Sequence, residues 1–184
     1  GAAAALVSEA YEAKPGDGPL VRVADVQAGL EAIGRAARAR LGPDARVIAV
    51  TGSAGKTGTK DMLRAALGRI GPAHAADKSF NNHWGVPLTL ARMRVDTRFG
   101  VFEIGMNHAG EITPLSRMVR PHIAIVTTVE PVHLAEFPSV EAIAEAKAEI
   151  FLGLEPGGTA ILNRDNTHFE TLRSRAEAAG AKIV

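Results

Sequence analysis

The 184-residue sequence contains no cysteine, and only 4% of its residues are aromatic. Without cysteine the chain has neither a disulfide framework nor thiol chemistry. The shortage of aromatic rings disfavours base stacking, and a formal net charge of +1 gives no electrostatic basis for binding nucleic acid or an anionic membrane. No uninterrupted apolar run is long enough to span a bilayer. We therefore expect a cytoplasmic protein with no nucleic-acid partner and no membrane span.

The first 44 residues differ in character from the rest. Gly1–Ala5 has no initiator methionine and lacks the cationic start of a signal peptide, so we expect a fragment or a processed form. Lys14–Pro19 has the turn chemistry of a loop, and a helix is predicted over about 26–40. The predicted inner face of that helix comprises Val26, Leu30, Ile33 and Ala37. This segment is typical of a short leader or of the end of a preceding domain.

From residue 45 onward short apolar strands alternate with helices. The predicted strands are Val47–Val50, Gly100–Met106, Ile123–Thr127 and Thr159–Leu162. The predicted helices are at about 57–69, 85–93, 110–119, 139–152 and 165–179. This alternation predicts an α/β domain over residues 45–184, with a largely parallel sheet flanked by helices.

A glycine loop follows the first of these strands, and it carries the strongest chemical signal in the chain. Its residues are Gly52, Ser53, Ala54, Gly55, Lys56, Thr57 and Gly58. A loop between strand and helix directs backbone N–H groups at phosphate, the lysine adds a point charge, and the threonine hydroxyl can ligate Mg²⁺. The strict phosphate-loop pattern would place a glycine where Val50 stands, so an ordinary turn is the competing interpretation. The context favours a site for a nucleoside triphosphate.

Polar residues also stand at or after the ends of the other predicted strands. Glu103 interrupts an apolar run, while His133, Asn163 and Asp165 follow later strands. The carboxyl ends of parallel strands form the ligand edge of such a sheet. Glu103 is therefore either a Mg²⁺ ligand opposite the glycine loop or a carboxylate that faces water from an edge strand.

Four polar residues have both a structural and a functional interpretation. His133 is either a metal ligand or an exposed loop histidine, and His108 either contacts a substrate or caps a turn. Asn81 and Asn82 precede a predicted helix, so they either cap it or face the phosphates or an acceptor.

Lys147 falls on the inner stripe of the helix predicted over 139–152. Its neighbours on that stripe are Val140, Ile143, Ala144, Ile150 and Phe151. A lysine there either extends to the rim of the interface, forms a buried ion pair, or loses its proton on burial. A neutral amine can combine with CO₂ to form a carbamate, which would make Lys147 an anionic metal ligand.

Together these motifs resemble the Mur ligase family, and within it the MurF type. The resemblance covers about residues 15–184. It is carried by Thr51–Thr57, Ser79–Asn82 with Gly85–Leu90, Glu103–Ile112, Ala146–Phe151 and Leu162–Asn166. It implies an ATP-dependent ligase of peptidoglycan precursor synthesis that joins D-alanyl-D-alanine to UDP-N-acetylmuramoyl-tripeptide through an acyl phosphate.

The resemblance also implies a role for each candidate residue. The loop Gly52–Gly58 with Lys56 would hold the ATP phosphates, while Thr57 and Glu103 would bind Mg²⁺. Glu103 could also bridge to a second Mg²⁺, which His133 would bind. Lys147 would be the carbamylated lysine of the family and a metal ligand through its carbamate. Asn163 would contact adenine with Asp165 nearby, and the residues Asn81, Asn82 and His108 would face substrate.

Two departures from the family accompany the resemblance. Glu130-Pro131-Val132-His133 stands where relatives have a Gly-Pro-x-His turn. The family also has three domains, and we expect 1–44 to be the end of the first, 45–184 an incomplete central domain, and the third domain to be absent. On that expectation the chain is a monomer that does not ligate alone.

Three alternatives remain open at this point. One is another amide ligase of the same superfamily, of the MurE type or a folylpolyglutamate synthase. The second is a P-loop NTPase that works as a switch or motor. The third is a nucleotide-binding module without catalysis.

Overall fold

The computed structural model describes residues 3–132 and 134–184. Within these residues the chain forms eight strands and six α-helices. The strands are β1 Ala5–Ser8, β2 Leu20–Val23, β3 Arg46–Thr51, β4 Ala73–Ala75, β5 Phe99–Glu103, β6 Ile123–Val126, β7 Thr159–Leu162 and β8 Lys182–Ile183. The α-helices are α1 Val26–Ala39, α2 Lys56–Leu67, α3 Gly85–Ala91, α4 Ile112–Val119, α5 Val140–Ala148 and α6 Phe169–Ala178, and α5 continues as the 3₁₀ turn Glu149–Gly153.

Six of the described strands form a parallel sheet in the order β4-β5-β3-β6-β7-β8. The predicted α/β class with a largely parallel sheet is confirmed. Because β3 lies between β5 and β6, the loops after these three strands meet at one edge. In register, Glu103 of β5 lies beside Val50 of β3, and Val126 of β6 lies beside Thr51.

Alternate residues of β3 face opposite layers of helices, as the two-residue period of a strand requires. Val47 and Ala49 belong to the larger core, which includes residues of α3, α4, α5 and α6. Ile48 and Val50 face the other side, where Leu63 and Leu67 of α2 pack against them. The central strand is therefore buried on both faces, and it holds the glycine loop at its end.

The first 44 residues pack against this domain. β1 and β2 pair in parallel as a separate two-stranded sheet, and α1 packs on α3. The inner face predicted for α1 is wrong at Ile33, which is 46% exposed. Gly34 lies at the contact instead, where an added Cβ would be 3.1 Å from Pro87 O, so the close approach of the two helices requires a small residue.

Arg38 anchors α1 to the domain. Its guanidinium donates from Nε to Val119 O at 2.8 Å and from Nη2 to Arg120 O at 2.6 Å, and Nη2 also lies 3.1 Å from Glu155 Oε1. The side chain is buried, so these partners stabilise a charge that would otherwise be costly to remove from water.

Several element ends differ from their predicted positions, and two of the differences follow from local hydrogen bonds. β5 ends at Glu103: Ile104 N still donates to Val50 O of β3, but Gly105 N donates to Asn81 O outside the sheet. α4 begins at Ile112, where Glu149 accepts from the N–H groups of Gly110 and Thr113. In the described residues no helix is long and apolar enough to cross a membrane.

Candidate active site at the carboxyl edge of the sheet

The glycine loop joins β3 to α2 with two glycines in the left-handed region. Gly52 has φ +144° and Gly55 has φ +81°, conformations that other residues rarely adopt. Gly55 is the N-cap of α2, and no side chain of the described residues caps that helix end. The first N–H groups of α2 therefore point out of the helix towards the loop, in the arrangement that binds phosphate.

The loop is held against the segment that follows β6. Thr127 Oγ1 donates to Ala54 O at 2.6 Å, and Ser53 N donates to Thr128 O at 2.8 Å. A Cβ on Gly52 would lie 1.9 Å from Thr127 Oγ1, so only glycine fits there without displacement. These contacts fix the loop's shape before any phosphate arrives.

Lys56 lies at the first position of α2 and is half-buried. Its Nζ donates to Gly52 O at 2.7 Å, so the cation lies across the mouth of its own loop. Burial lowers the pKa of Lys56, and the nearby Glu103 charge acts in the opposite direction.

Glu103 lies at the centre of a hydrogen-bond cluster beside the loop. Only 3% of it is exposed, and β5 is an interior strand, which excludes the edge-strand interpretation. Its carboxylate accepts from Thr57 Oγ1 at 2.9 Å, Ser79 Oγ at 2.7 Å and Asn81 Nδ2 at 2.8 Å. The structure therefore brings together the predicted residues Thr57, Glu103 and Asn81.

The donor set of this cluster fits Mg²⁺. A hydroxyl and a carboxylate oxygen, 2.9 Å apart and beside a phosphate loop, are hard oxygen ligands of the kind that Mg²⁺ takes together with substrate phosphates. In the described part of the chain, no group of three or more His, Asp and Glu side chains is placed to hold a metal ion by itself.

Asn81 and Asn82 have different surroundings although they are adjacent. Asn81 contacts Glu103, whereas Asn82 Oδ1 accepts from the N–H groups of Trp84 and Gly85 at the start of α3. Asn82 also lines a cavity of about 430 Å³ with Glu31, Asn107, Glu111 and Met118. The contact of Asn82 with the start of α3 agrees with its interpretation as a helix cap, and its role towards substrate stays a prediction.

Lys147 is buried in the core beneath this edge. Only 3% of it is exposed, and Ile143, Ala144, Ile150 and Phe151 of the predicted stripe are buried with it. Burial, followed by the positive charge of Lys56, lowers the pKa of Lys147 to about 8. Since no acidic group of the described residues contributes to that shift, a buried ion pair is not favoured there.

His108 is exposed and lies between two carboxylates. Its Nδ1 is 2.9 Å from Glu111 Oε1, and its Nε2 is 3.1 Å from Glu136 Oε2. The hydrogen bond to Glu111 and the charge of Glu136 raise the pKa of His108. His108 connects the β5–α4 loop to the segment after β6, and its contact with substrate stays a prediction.

His133, the predicted metal ligand, lies outside the described residues.

Side chains of the segment after β7 form the hydrogen bonds that shape its turn. Asn163 Oδ1 accepts from Asp165 N at 3.1 Å, and both residues are exposed. Asn166 donates from Nδ2 to Thr128 Oγ1 at 3.1 Å and to Val129 O at 3.0 Å. A contact of Asn163 or Asp165 with adenine stays a prediction, while Asn166 connects their turn to the segment that holds the glycine loop.

Neither Ser79 nor Lys60 was predicted individually as a site residue, although Ser79 belongs to the hydroxyl- and amide-rich loop before α3. Lys60 is completely buried, and its Nζ donates to Ala76 O at 2.6 Å. One feature of the sequence could have indicated Lys60: it stands four residues after Lys56 and therefore on the same face of α2. Its Nζ also lies 3.2 Å from Asp61 Oδ1, but its partners in the segment before α3 are main-chain oxygens, which no sequence pattern identifies.

Comparison with known proteins places the chain in a family. The model of the Mur ligase middle domain matches residues 50–184. The UDP-N-acetylmuramoyl-tripeptide--D-alanyl-D-alanine ligase of Rickettsia prowazekii is 38% identical over 175 residues, which are 95% of this chain and 38% of that protein. The enzyme of the same name from Bacillus subtilis is 41% identical over 161 residues, covering 88% of this chain and 35% of that protein.

Solved structures agree with the sequence relatives. A crystal structure of MurF from Acinetobacter baumannii superposes with a TM-score of 0.83 at 34% identity, and the match covers 94% of this chain and 37% of that one. The chain thus spans little more than a third of the length of these relatives. On the family model and on these likenesses, the chain belongs to the Mur ligase family, whose middle domain it contains.

Proposed function

We propose that this chain supplies the ATP-binding part of an ATP-dependent ligase, one that joins D-alanyl-D-alanine to UDP-N-acetylmuramoyl-tripeptide. The observation that carries the proposal is the contact between Thr57 of the glycine loop and the buried carboxylate of Glu103. The names of the relatives from R. prowazekii and B. subtilis support this pair of substrates over those of other amide ligases.

In the proposed reaction, a carboxylate oxygen of the tripeptide attacks the γ-phosphorus of ATP and ADP leaves. The amine of D-alanyl-D-alanine then attacks the carbonyl carbon of the acyl phosphate, loses a proton and displaces inorganic phosphate. The chain's contribution to the first step is positioning and charge neutralisation.

The residues of the carboxyl edge have separate tasks in this proposal. The α2 N-terminus and Lys56 bind the β- and γ-phosphates, for which Lys56 exchanges its contact with Gly52 O. Thr57 and Glu103 would hold Mg²⁺, which when bound neutralises charge on the phosphate oxygens. Asn163 and Asp165 would face the adenine, and Asn82 and His108 the acceptor side.

Lys147 is proposed to act as a carbamate, with His133, at a second metal position. A pKa of about 8 leaves a neutral fraction at physiological pH, and only that fraction reacts with CO₂. Nuclear magnetic resonance after addition of isotopically labelled bicarbonate should give a carbamate carbon signal that Lys147→Arg lacks. The same spectrum for both proteins would remove Lys147 from this role.

The function is tested with the complete gene product that contains these residues. ADP formation in the presence of Mg²⁺ should require both the tripeptide nucleotide and D-alanyl-D-alanine, and mass spectrometry should find the ligated pentapeptide nucleotide. ADP formation that is independent of both substrates would instead indicate a P-loop NTPase. ATP binding without any turnover would indicate a nucleotide-binding module.

A further inference from the structure

The two carboxylate oxygens of Glu103 have different hydrogen-bond partners. Oε1 accepts from both Ser79 Oγ at 2.7 Å and Asn81 Nδ2 at 2.8 Å. Oε2 accepts from Thr57 Oγ1 at 2.9 Å. A carboxylate oxygen offers about two acceptor positions, so the two donors fill Oε1, while Oε2, with one donor among the described residues, keeps a free position beside the glycine loop.

The segment that supplies Ser79 and Asn81 is anchored on both sides. On the α2 side, the fully buried Lys60 donates from Nζ to Ala76 O at 2.6 Å and to Lys78 O at 3.4 Å. On the β5 side, Gly105 N donates to Asn81 O at 2.8 Å. Because the backbone is fixed at both points, the two donors cannot easily withdraw from Oε1.

This arrangement bears on which cation the carboxylate can take. Ca²⁺ accepts six to eight oxygens and often binds a carboxylate through both, whereas Mg²⁺ requires octahedral geometry and usually takes one oxygen of each carboxylate. We propose that Ser79 and Asn81 restrict Glu103 to coordination through Oε2 and thereby favour Mg²⁺ over Ca²⁺, with Lys60 as the positioning residue of their segment. The inference rests on the proposed function, since it assumes a metal–nucleotide complex at the glycine loop.

The test measures metal binding rather than turnover. The complete gene product is saturated with a non-hydrolysable ATP analogue, Mn²⁺ is bound and followed by electron paramagnetic resonance, and Mg²⁺ or Ca²⁺ is added as competitor. The variants are Ser79→Ala, Asn81→Leu and the double variant. Leucine has nearly the same shape as asparagine but lacks the N–H donor. Lys60→Met tests the anchor, and Arg64→Met is its control, since Arg64 contacts the same segment only through the exposed Asp77 among described residues.

The double variant should shift the ratio of Mg²⁺ to Ca²⁺ affinity towards Ca²⁺ by about 10-fold, the lower end of what ligand-supporting residues contribute. Each single variant and Lys60→Met should shift it in the same direction by less, while Arg64→Met keeps the wild-type ratio. An unchanged ratio in a folded double variant would overturn the inference.

Two further outcomes are distinguishable from that result. Thermal unfolding identifies a double variant that does not fold, in which case Ser79→Ala, the loss of one hydroxyl, decides by the same ratio. If the wild-type protein binds neither the nucleotide analogue nor Mn²⁺, the proposed function is contradicted, and the selectivity inference fails with it.

Discussion

Thr57 Oγ1, in the first turn of α2, donates a 2.9 Å hydrogen bond to Glu103 Oε2 at the end of β5. The contact joins the phosphate loop to the buried carboxylate 46 residues further along the chain. Because β3 and β5 are paired in parallel, with Val50 opposite Glu103, the sheet itself places the two groups together. The Mg²⁺ position proposed beside the glycine loop depends on this pair.

Removal of the Thr57 hydroxyl should abolish most of the activity. In Thr57→Val we expect kcat to fall by at least about 100-fold, because charge neutralisation by a bound metal is worth several kcal/mol in the transition state. Steady-state ADP formation over a range of Mg²⁺ concentrations checks this. Thr59→Val makes the same change two residues along α2 and should keep wild-type kcat; an equal loss in both variants would indicate general damage to the helix.

Lys147 should make the stability of the protein depend on pH. Between pH 8 and 10.5 the folded chain has released a proton that the unfolded chain retains. The free energy of unfolding should therefore rise with pH across this window, by about 3 kcal/mol in total, and below the window this group should add no pH dependence. Urea unfolding in bicarbonate-free buffer measures the slope.

The matched variant for this prediction is Lys147→Met, which has a similar length and no charge. It should lose the rise between pH 8 and 10.5 and be the more stable protein at neutral pH, since it removes a buried cation that no acidic group of the described residues stabilises. If wild type and Lys147→Met show parallel pH profiles, the amine is not desolvated as described.

Two glycines of the phosphate loop should respond in opposite ways to alanine. Gly52→Ala places a Cβ 1.9 Å from Thr127 Oγ1 at φ +144°, and we expect a loss of about 3 kcal/mol in unfolding free energy together with loss of nucleotide binding. Gly58→Ala meets no atom within 4 Å in α2 and should stabilise the fold by about 0.5–1 kcal/mol. Calorimetry and nucleotide titration measure both, and similar melting shifts in the two variants would contradict the loop geometry.

Arg38 should be essential for the docking of α1 on the domain. Arg38→Met leaves the buried carbonyl of Val119 and the part-buried carbonyl of Arg120 without this donor, and we expect a loss of about 3 kcal/mol in stability. Arg35→Met removes only an exposed pair with Glu31 and should cost at most about 0.5 kcal/mol. Proteolysis within residues 1–44 should accelerate in the first variant alone, and equal rates would mean that α1 is not held through Arg38.

The sequence predicted the central part of this fold well, because its signals are local. Apolar runs identified β3, β5, β6 and β7, and the glycine loop identified the start of α2 to within one residue. β4 and β8 were missed because they have three and two residues, too few for a periodic pattern. Their strand character comes from pairing with β5 and β7 rather than from their own composition.

The candidate site was predictable where a residue's type conflicted with its surroundings. Glu103 stands in an apolar run and Lys147 on an apolar stripe, so each was predicted as a candidate site residue. Both are buried. Lys60 was missed because the partners that it holds outside α2, Ala76 O and Lys78 O, are main-chain oxygens. Ser79 and Asn166 act through contacts that only the assembled sheet brings within reach.

The measurement that tests the central claim most directly follows oxygen atoms through the reaction. The complete gene product is supplied with ATP, Mg²⁺, D-alanyl-D-alanine and UDP-N-acetylmuramoyl-tripeptide whose terminal carboxylate carries heavy oxygen. If the chain serves a ligase that forms an acyl phosphate, one heavy oxygen should appear in the released inorganic phosphate, and Thr57→Val should suppress that transfer. Released phosphate that is entirely unlabelled, while ADP accumulates, would mean that water is the attacking group and would contradict the account.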